Sequence, residues 1–178
     1  DICKEVIAFA NTKGGTLYIG VSDDGSVVGV KNADQVILQL NNMIRDSIKP
    51  DVTMFVGYET QHVGDKDIIA VTIQKGTDRP YYLGSKGLKP SGVYVRNGTS
   101  SDPATDTAIR RMIKETDGDS FESMRSLEQN LSFEAAEKQF EKQNIPFDTA
   151  KMQTLGMISA DGIYSNVALL LSDQCPST

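Results

Sequence analysis

The sequence predicts an α+β fold, a mixed and mostly antiparallel sheet with packed helices, followed by a small helical extension. Three observations carry this. Residues 15–30 and 52–73 hold short apolar and β-branched runs parted by Gly- and Asp-rich turns, the patterning of strands and hairpins. Residues 33–48 put Val36, Ile37, Leu40, Ile44 and Ile48 on one helical face. Beyond residue 117 the strand pattern gives way to short helical segments.

Taken in order, the chain opens in a helix whose apolar residues include Val6, Ile7, Phe9 and Ala10. Asn11-Thr12-Lys13-Gly14-Gly15 stops it, because Asn and Gly accept left-handed backbone angles. Thr16–Val21 reads as a strand, Asp23-Asp24-Gly25-Ser26 as a hairpin turn, and Val27–Val30 as the return. Pro50 ends the helix over 33–48. Strands are expected over about Val52–Tyr58 and Ile68–Ile73, joined by a polar turn. Arg79 to Gly92, rich in Gly, Pro, Lys and Tyr, reads as a loop or irregular hairpin. Val93–Arg96 is a strand ending in an Asn97-Gly98 turn, and Asp102-Pro103 is expected to cap a helix running to about Glu115. Asp117-Gly118-Asp119-Ser120 marks a boundary between a domain at 1–117 and an extension at 118–178. In the extension, helices are expected at about 121–127, 133–143 (with Ser132 as cap) and 148–156, then a turn around Gly156–Tyr164 and the apolar run Val167–Leu171. A helix cut at its start, and an apolar run close to Pro176-Ser177-Thr178, suggest a piece of a longer protein.

A chain of 178 residues is long enough for one domain with a real core plus an appendage. No run of about 18 apolar residues occurs, so no membrane-spanning helix is expected. The first residues lack a signal-peptide layout, which makes the cytoplasm the expected compartment. Cys3 and Cys175 have no CxxC partner, which argues against zinc, and a disulfide between them is not expected in a cytosolic chain. The net charge of -6 argues against a surface that coats nucleic acid broadly. The acidity is uneven, however. Residues 1–117 carry 14 Lys and Arg against 15 Asp and Glu, whereas residues 118–178 carry 4 against 9.

The richest basic set is Arg79, Lys86, Lys89, Arg96, Arg110, Arg111 and Lys114, interleaved with Tyr81, Tyr82 and Tyr94. Cations of this kind contact phosphates and aromatic faces stack on bases, while Gly84, Gly87 and Gly92 allow close approach of backbone. The bland alternative is solvated loop charge with tyrosines packed in the core. Asn11, Thr12, Gly14 and Gly15 read either as a phosphate loop, whose N–H groups cradle an anion, or as a helix stop feeding a strand. Asp23 and Asp24 read either as ligands for a hard divalent cation or as turn residues. No GxxxxGK[ST] occurs, so ATP hydrolysis is not expected. His62, the single histidine, sits in a polar turn, and no serine or cysteine has a base beside it for triad catalysis.

Residues 5–30, from Glu5-Val6-Ile7-Ala8-Phe9-Ala10-Asn11-Thr12 through Gly14-Gly15 and Ile19-Gly20-Val21 to Val30, closely resemble the signature AFANTxGGxLxIGVxDxGxVxG of the Schlafen/AlbA-type domain. Tyr94–Ser101 resembles that family's second block, YxRxGSS, and residues 120–171 resemble the region that follows the domain in bacterial transcriptional regulators. The resemblance implies a DNA-binding or regulatory role, often with C-terminal winged-helix segments. Some members carry the label of divergent AAA ATPase or helicase-related protein. Some Schlafen relatives are metal-dependent RNA endonucleases. Those use two glutamates upstream of the Phe-Ala-Asn block and an aspartate after the Gly-Val strand. Asp23 matches that aspartate, and the glutamates would precede Asp1.

Three functions therefore stay open. The first is a nucleic-acid-binding module of a transcriptional regulator, with DNA or RNA as partner and no cofactor. The second is a metal-dependent endoribonuclease-like domain, which would need magnesium or manganese at Asp23. The third is a protein-interaction or homodimerisation scaffold.

Overall fold

The computed structural model describes residues 1–118 and 120–175. Asp119 of the expected boundary and residues 176–178 lie outside the described residues. The elements run α1 (Ile2–Asn11), β1 (Gly15–Ile19), α2 (Ala33–Ser47), β2 (Ile48–Lys49), β3 (Val56–Val63), β4 (Lys66–Ile73), β5 (Tyr82–Leu83), β6 (Tyr94–Asn97), β7 (Ser100–Pro103), α3 (Asp106–Asp117), α4 (Glu134–Lys142), α5 (Thr149–Thr154) and α6 (Asn166–Leu171). This is an α+β fold in which every ladder is antiparallel. One sheet has the order β1-β4-β3, and β2-β5 and β6-β7 form two smaller ones.

Period two sorts the main sheet into faces. Leu17 and Tyr58 both pair with Val71, and Ile19 pairs with Ile69. These residues meet Val6, Ile7 and Ala10 of α1 and Leu40 and Ile44 of α2 in the first core cluster. Cys3 lies in the same cluster, and burial pushes its thiol up, so it acts as a small apolar side chain. A second cluster joins Tyr82, Leu88 and Val93 to Ile109, Met112 and Ile113 of α3, and also takes in Ile163. A third, around Phe133, Met157 and Ala168, holds the last helices together.

Several expected boundaries move, each for a local reason. Asp51 accepts the Thr53 N–H (2.8 Å) and hydroxyl (2.7 Å), which winds Thr53–Phe55 into a 3-10 turn, so the strand begins at Val56 rather than Val52. Val27–Val30 is no continuous strand. It makes bridges only, Val21 to Val27 and Val30 to Asp67. Asp102-Pro103 does not cap a helix, because the Asn97-Gly98 turn folds Ser100–Pro103 back on β6, with Pro103 opposite Tyr94. The cap is Thr105, whose hydroxyl accepts the Ala108 N–H at 3.1 Å. Residues 121–127 are a turn and a bridge from Arg125 to Ser165, not a helix. Ser132 does not cap α4 either; the Asp173 carboxylate does, accepting the N–H groups of Glu134 (2.8 Å) and Ala135 (3.1 Å). Among the described residues no helix is long and apolar enough to cross a membrane.

Candidate nucleic-acid interface

The loop after β5 owes its shape to its glycines and to one apolar anchor. Leu83 pairs with Ile48, and its carbonyl then accepts the N–H groups of Lys86 (2.9 Å) and Gly87 (3.0 Å). The Lys89 carbonyl accepts those of Gly92 (2.8 Å) and Val93 (3.0 Å), and Leu83 donates across to Gly92 at 2.9 Å. The strands of this loop cross so closely that a Cβ on Gly92 would stand 2.2 Å from the Gly87 carbonyl oxygen. Leu88, 2% exposed, fixes the loop to the second core. Lys86 and Lys89, on either side of that anchor, are exposed, and neither has an ion-pair partner among the described residues. Lys86 and Lys89 line a groove of about 300 Å³ whose opposite wall is Leu127, Glu128, Gln129 and Asn130.

The other expected binding residues are placed differently. Tyr81 is 0% exposed within the first core, and its hydroxyl accepts the Asp78 N–H at 3.2 Å, so its ring offers no face for stacking. Tyr94 is also buried, donating to the Ser91 carbonyl at 3.0 Å beneath the Lys4 ammonium. Arg96 is spent on the fold. It pairs with Glu5 at 2.8 Å, donates to the Ser101 hydroxyl at 3.1 Å and lies over the Phe9 ring. Arg79 and Arg111 share Glu115, at 3.5 and 2.8 Å. The hydrogen bond from Arg111 is the main cause that holds the Glu115 carboxyl below its ordinary value. Arg110 and Lys114 point outward from α3, and Arg110 makes no ion pair among the described residues. Among the described residues, Lys86, Lys89 and Arg110 of the basic set are exposed and make no ion pair.

In the turn at Asn11–Gly15, the groups a phosphate loop would offer are engaged. Thr12 and Gly14 both donate their N–H to the Phe9 carbonyl, at 3.1 and 2.9 Å, and the Thr12 hydroxyl donates to Ala8 at 2.6 Å. The buried Asn11 side chain donates to the carbonyls of Tyr81 and Tyr94, both at 2.9 Å, and accepts the Tyr81 N–H at 2.7 Å. Added Cβ atoms at Gly14 and Gly15 would stand 2.6 Å from the Ile73 carbonyl oxygen and 2.2 Å from the Phe9 ring.

Asp23 is exposed on the hairpin that packs beside Lys66. Its neighbour Asp24 accepts the Ser26 hydroxyl (2.7 Å) and N–H (2.9 Å), bonds that pull its carboxyl below the ordinary value. Among the described residues no three His, Cys, Asp or Glu side chains stand together as a metal-holding group, so the donors present do not fit magnesium or manganese at Asp23.

Arg125 ties residues beyond 117 to those before it, and Gln129 ties the segment around it to Tyr164. Arg125, 9% exposed in its side chain, forms a two-pronged pair with Asp117, at 3.0 Å on both prongs, and donates to the Asp78 carbonyl at 2.8 Å. Gln129 donates to the carbonyls of Ser126 (2.7 Å) and Tyr164 (2.9 Å) and accepts the Tyr164 N–H at 2.8 Å. The available signal was that Arg125 is the single arginine of residues 118–178, in an acidic stretch where a bidentate partner is at hand.

The family described as Schlafen, AlbA_2 matches residues 1–105. Among solved structures, the DIP2311 protein of Corynebacterium diphtheriae superposes with a TM-score of 0.49 at 20% identity, over 96% of this chain and 30% of its own. This chain thus spans about 30% of the length of that protein. The N-terminal domain of a protein from Nitrosomonas europaea, described as related to the ATP-dependent DNA helicase RecG, superposes with a TM-score of 0.42 at 27% identity, over 58% of this chain and 74% of its own. No curated protein matches.

Proposed function

The chain belongs to the Schlafen AlbA_2 family, and from that premise we propose that it is a nucleic-acid-binding module of a transcriptional regulator. The observation that carries the reading is the pair Lys86 and Lys89, exposed and without an ion pair among the described residues, on a loop held by its own backbone bonds. Exposed lysines on a loop whose backbone is already ordered attract a phosphate without the added cost of ordering the loop itself. Arg110, exposed on the outer face of α3, is a further cation that a nucleic-acid backbone could meet. Residues 1–117 form the binding domain in this proposal, and residues 118–178 the extension that walls the groove. A net charge of -6 keeps the affinity modest and confines it to this patch.

The test is a fluorescence-anisotropy titration of labelled DNA and RNA across a range of salt concentrations. Lys86→Ala with Lys89→Ala should weaken binding alike for all sequences and flatten the salt dependence by about 2 in log–log slope. An unchanged affinity and slope in the double variant would remove the loop from the interface.

A further inference from the structure

We propose that the groove between the glycine-rich loop and residues 127–130 takes a single strand of nucleic acid, not a duplex, and that Glu128 reads its bases. The inference rests on the nucleic-acid reading above and deepens it. Its basis is how charge is divided across the groove. Both cations, Lys86 and Lys89, belong to one wall, while the other wall carries the Glu128 carboxylate with Leu127, Gln129 and Asn130. A phosphate is attracted to the first wall and repelled by the second. A strand lying in the groove must therefore turn its backbone to the lysines and its bases to Glu128 and Asn130.

Shape supports the same choice. Reading a DNA duplex requires an element that projects into a groove about 12 Å wide, and an RNA duplex is held by surfaces that lie across its shallow minor groove. Here the surface is concave, with a volume of about 300 Å³, the scale of a single small-ligand cleft. Partly exposed Leu127 offers an apolar surface for a base face. The far wall is also built to hold its shape. Glu128 accepts the Asn130 N–H at 2.8 Å, its own N–H donates to the Ser126 hydroxyl at 3.1 Å, and Gln129 ties the segment to Tyr164. A carboxylate only accepts hydrogen bonds, and it accepts two parallel ones well. In an unpaired strand the Watson–Crick edges are open. Guanine presents two adjacent N–H donors there, so it is the base Glu128 favours.

The experiment compares the intact chain with Glu128→Gln and with the Lys86→Ala, Lys89→Ala double variant. The probes are a short uracil-only RNA strand, the same strand with one central guanine, and a duplex of the second sequence. The single strands are expected to bind about tenfold tighter than the duplex. The guanine strand should exceed the uracil strand by roughly five- to tenfold, and Glu128→Gln should erase that preference. The double lysine variant should weaken both single strands equally. Duplex bound as tightly as single strand, or a guanine preference that survives Glu128→Gln, would overturn the inference and leave the binding module standing. No binding of any probe by the unmodified chain would overturn both.

Discussion

Two glycine-bearing turns, Asn11–Gly15 and Gly84–Gly92, look alike as sequence and do opposite work in the fold. In the first, the side chain of Asn11 is consumed in three hydrogen bonds to Tyr81 and Tyr94, and the glycines exist because Ile73 and Phe9 press against them. In the second, the backbone bonds close on themselves and the side chains of Lys86 and Lys89 are left to solvent. The stretch that resembles a known family most closely is therefore a structural joint, and the plainer loop is the one with free chemistry. A motif's specificity reports how many constraints meet at a site. Those constraints can all be internal.

The largest effect expected from this contrast is at Asn11. Asn11→Ala leaves two buried carbonyls and one N–H without partners, each costing about 1–3 kcal/mol, so a total near 4 kcal/mol is expected in urea denaturation. A loss below about 1 kcal/mol would show that the joint is not where the first core and the β6 hairpin are held together.

How much of this was legible in the sequence depended on range. Helix α1, its stop at Asn11, helix α2 and most of strand β4 follow from local periodicity and turn chemistry, whereas β3 runs on through His62, which the sequence placed in the turn. The ion pair of Arg96 with Glu5 spans 91 positions and the bonds from Asn11 to Tyr81 span 70, so no local pattern shows them. That is why Arg96, Tyr81 and Tyr94 read as a binding surface although two of them are core and the third is neutralised. The cap on α4 was missed for the same reason, since Asp173 lies 39 positions from Glu134. Lys86 and Lys89 were legible because exposure of a lysine in a Gly-Pro-Ser loop needs no distant partner.

A matched pair of glycine substitutions separates packing from backbone strain. Gly14 and Gly87 have nearly the same left-handed φ, 79° and 80°. Alanine pays a similar penalty at both, about 1 kcal/mol. At Gly87 nothing lies within 4 Å of the new Cβ, whereas at Gly14 it meets the Ile73 carbonyl oxygen at 2.6 Å. Gly14→Ala should therefore cost about 1–3 kcal/mol more than Gly87→Ala. Equal costs would mean that the turn at Gly14 yields without disturbing β4.

A third glycine turn, Asp23–Ser26, tests the exposed extreme by pH. The Ser26 hydroxyl and N–H lower the Asp24 carboxyl in the folded state. A group lowered on folding contributes stability above its unfolded value, and that contribution fades as pH falls through the folded value. The stability difference between the unmodified chain and Asp24→Asn should be present at neutral pH, begin to shrink near the ordinary aspartate value of 3.8, and vanish only below the lowered folded value. A difference that grows on acidification would contradict the assigned bonds.

The smallest expected effect on stability sharpens the comparison most. Lys86 and Lys89 are exposed, they make no ion pair among the described residues, and the loop's shape comes from backbone bonds and Leu88 instead. Replacing both by alanine removes nothing the fold uses, so the melting midpoint should move by an amount equivalent to less than about 0.5 kcal/mol. The same double variant is the one expected to lose nucleic acid. Function and stability would then be separable at this loop, while at Asn11 a substitution acts on stability first. If the double variant unfolds more easily by 1 kcal/mol or more, the lysines are part of the scaffold. The two turns would then differ in degree only, and the patch on which the binding proposal stands would have to be sought on α3 around Arg110.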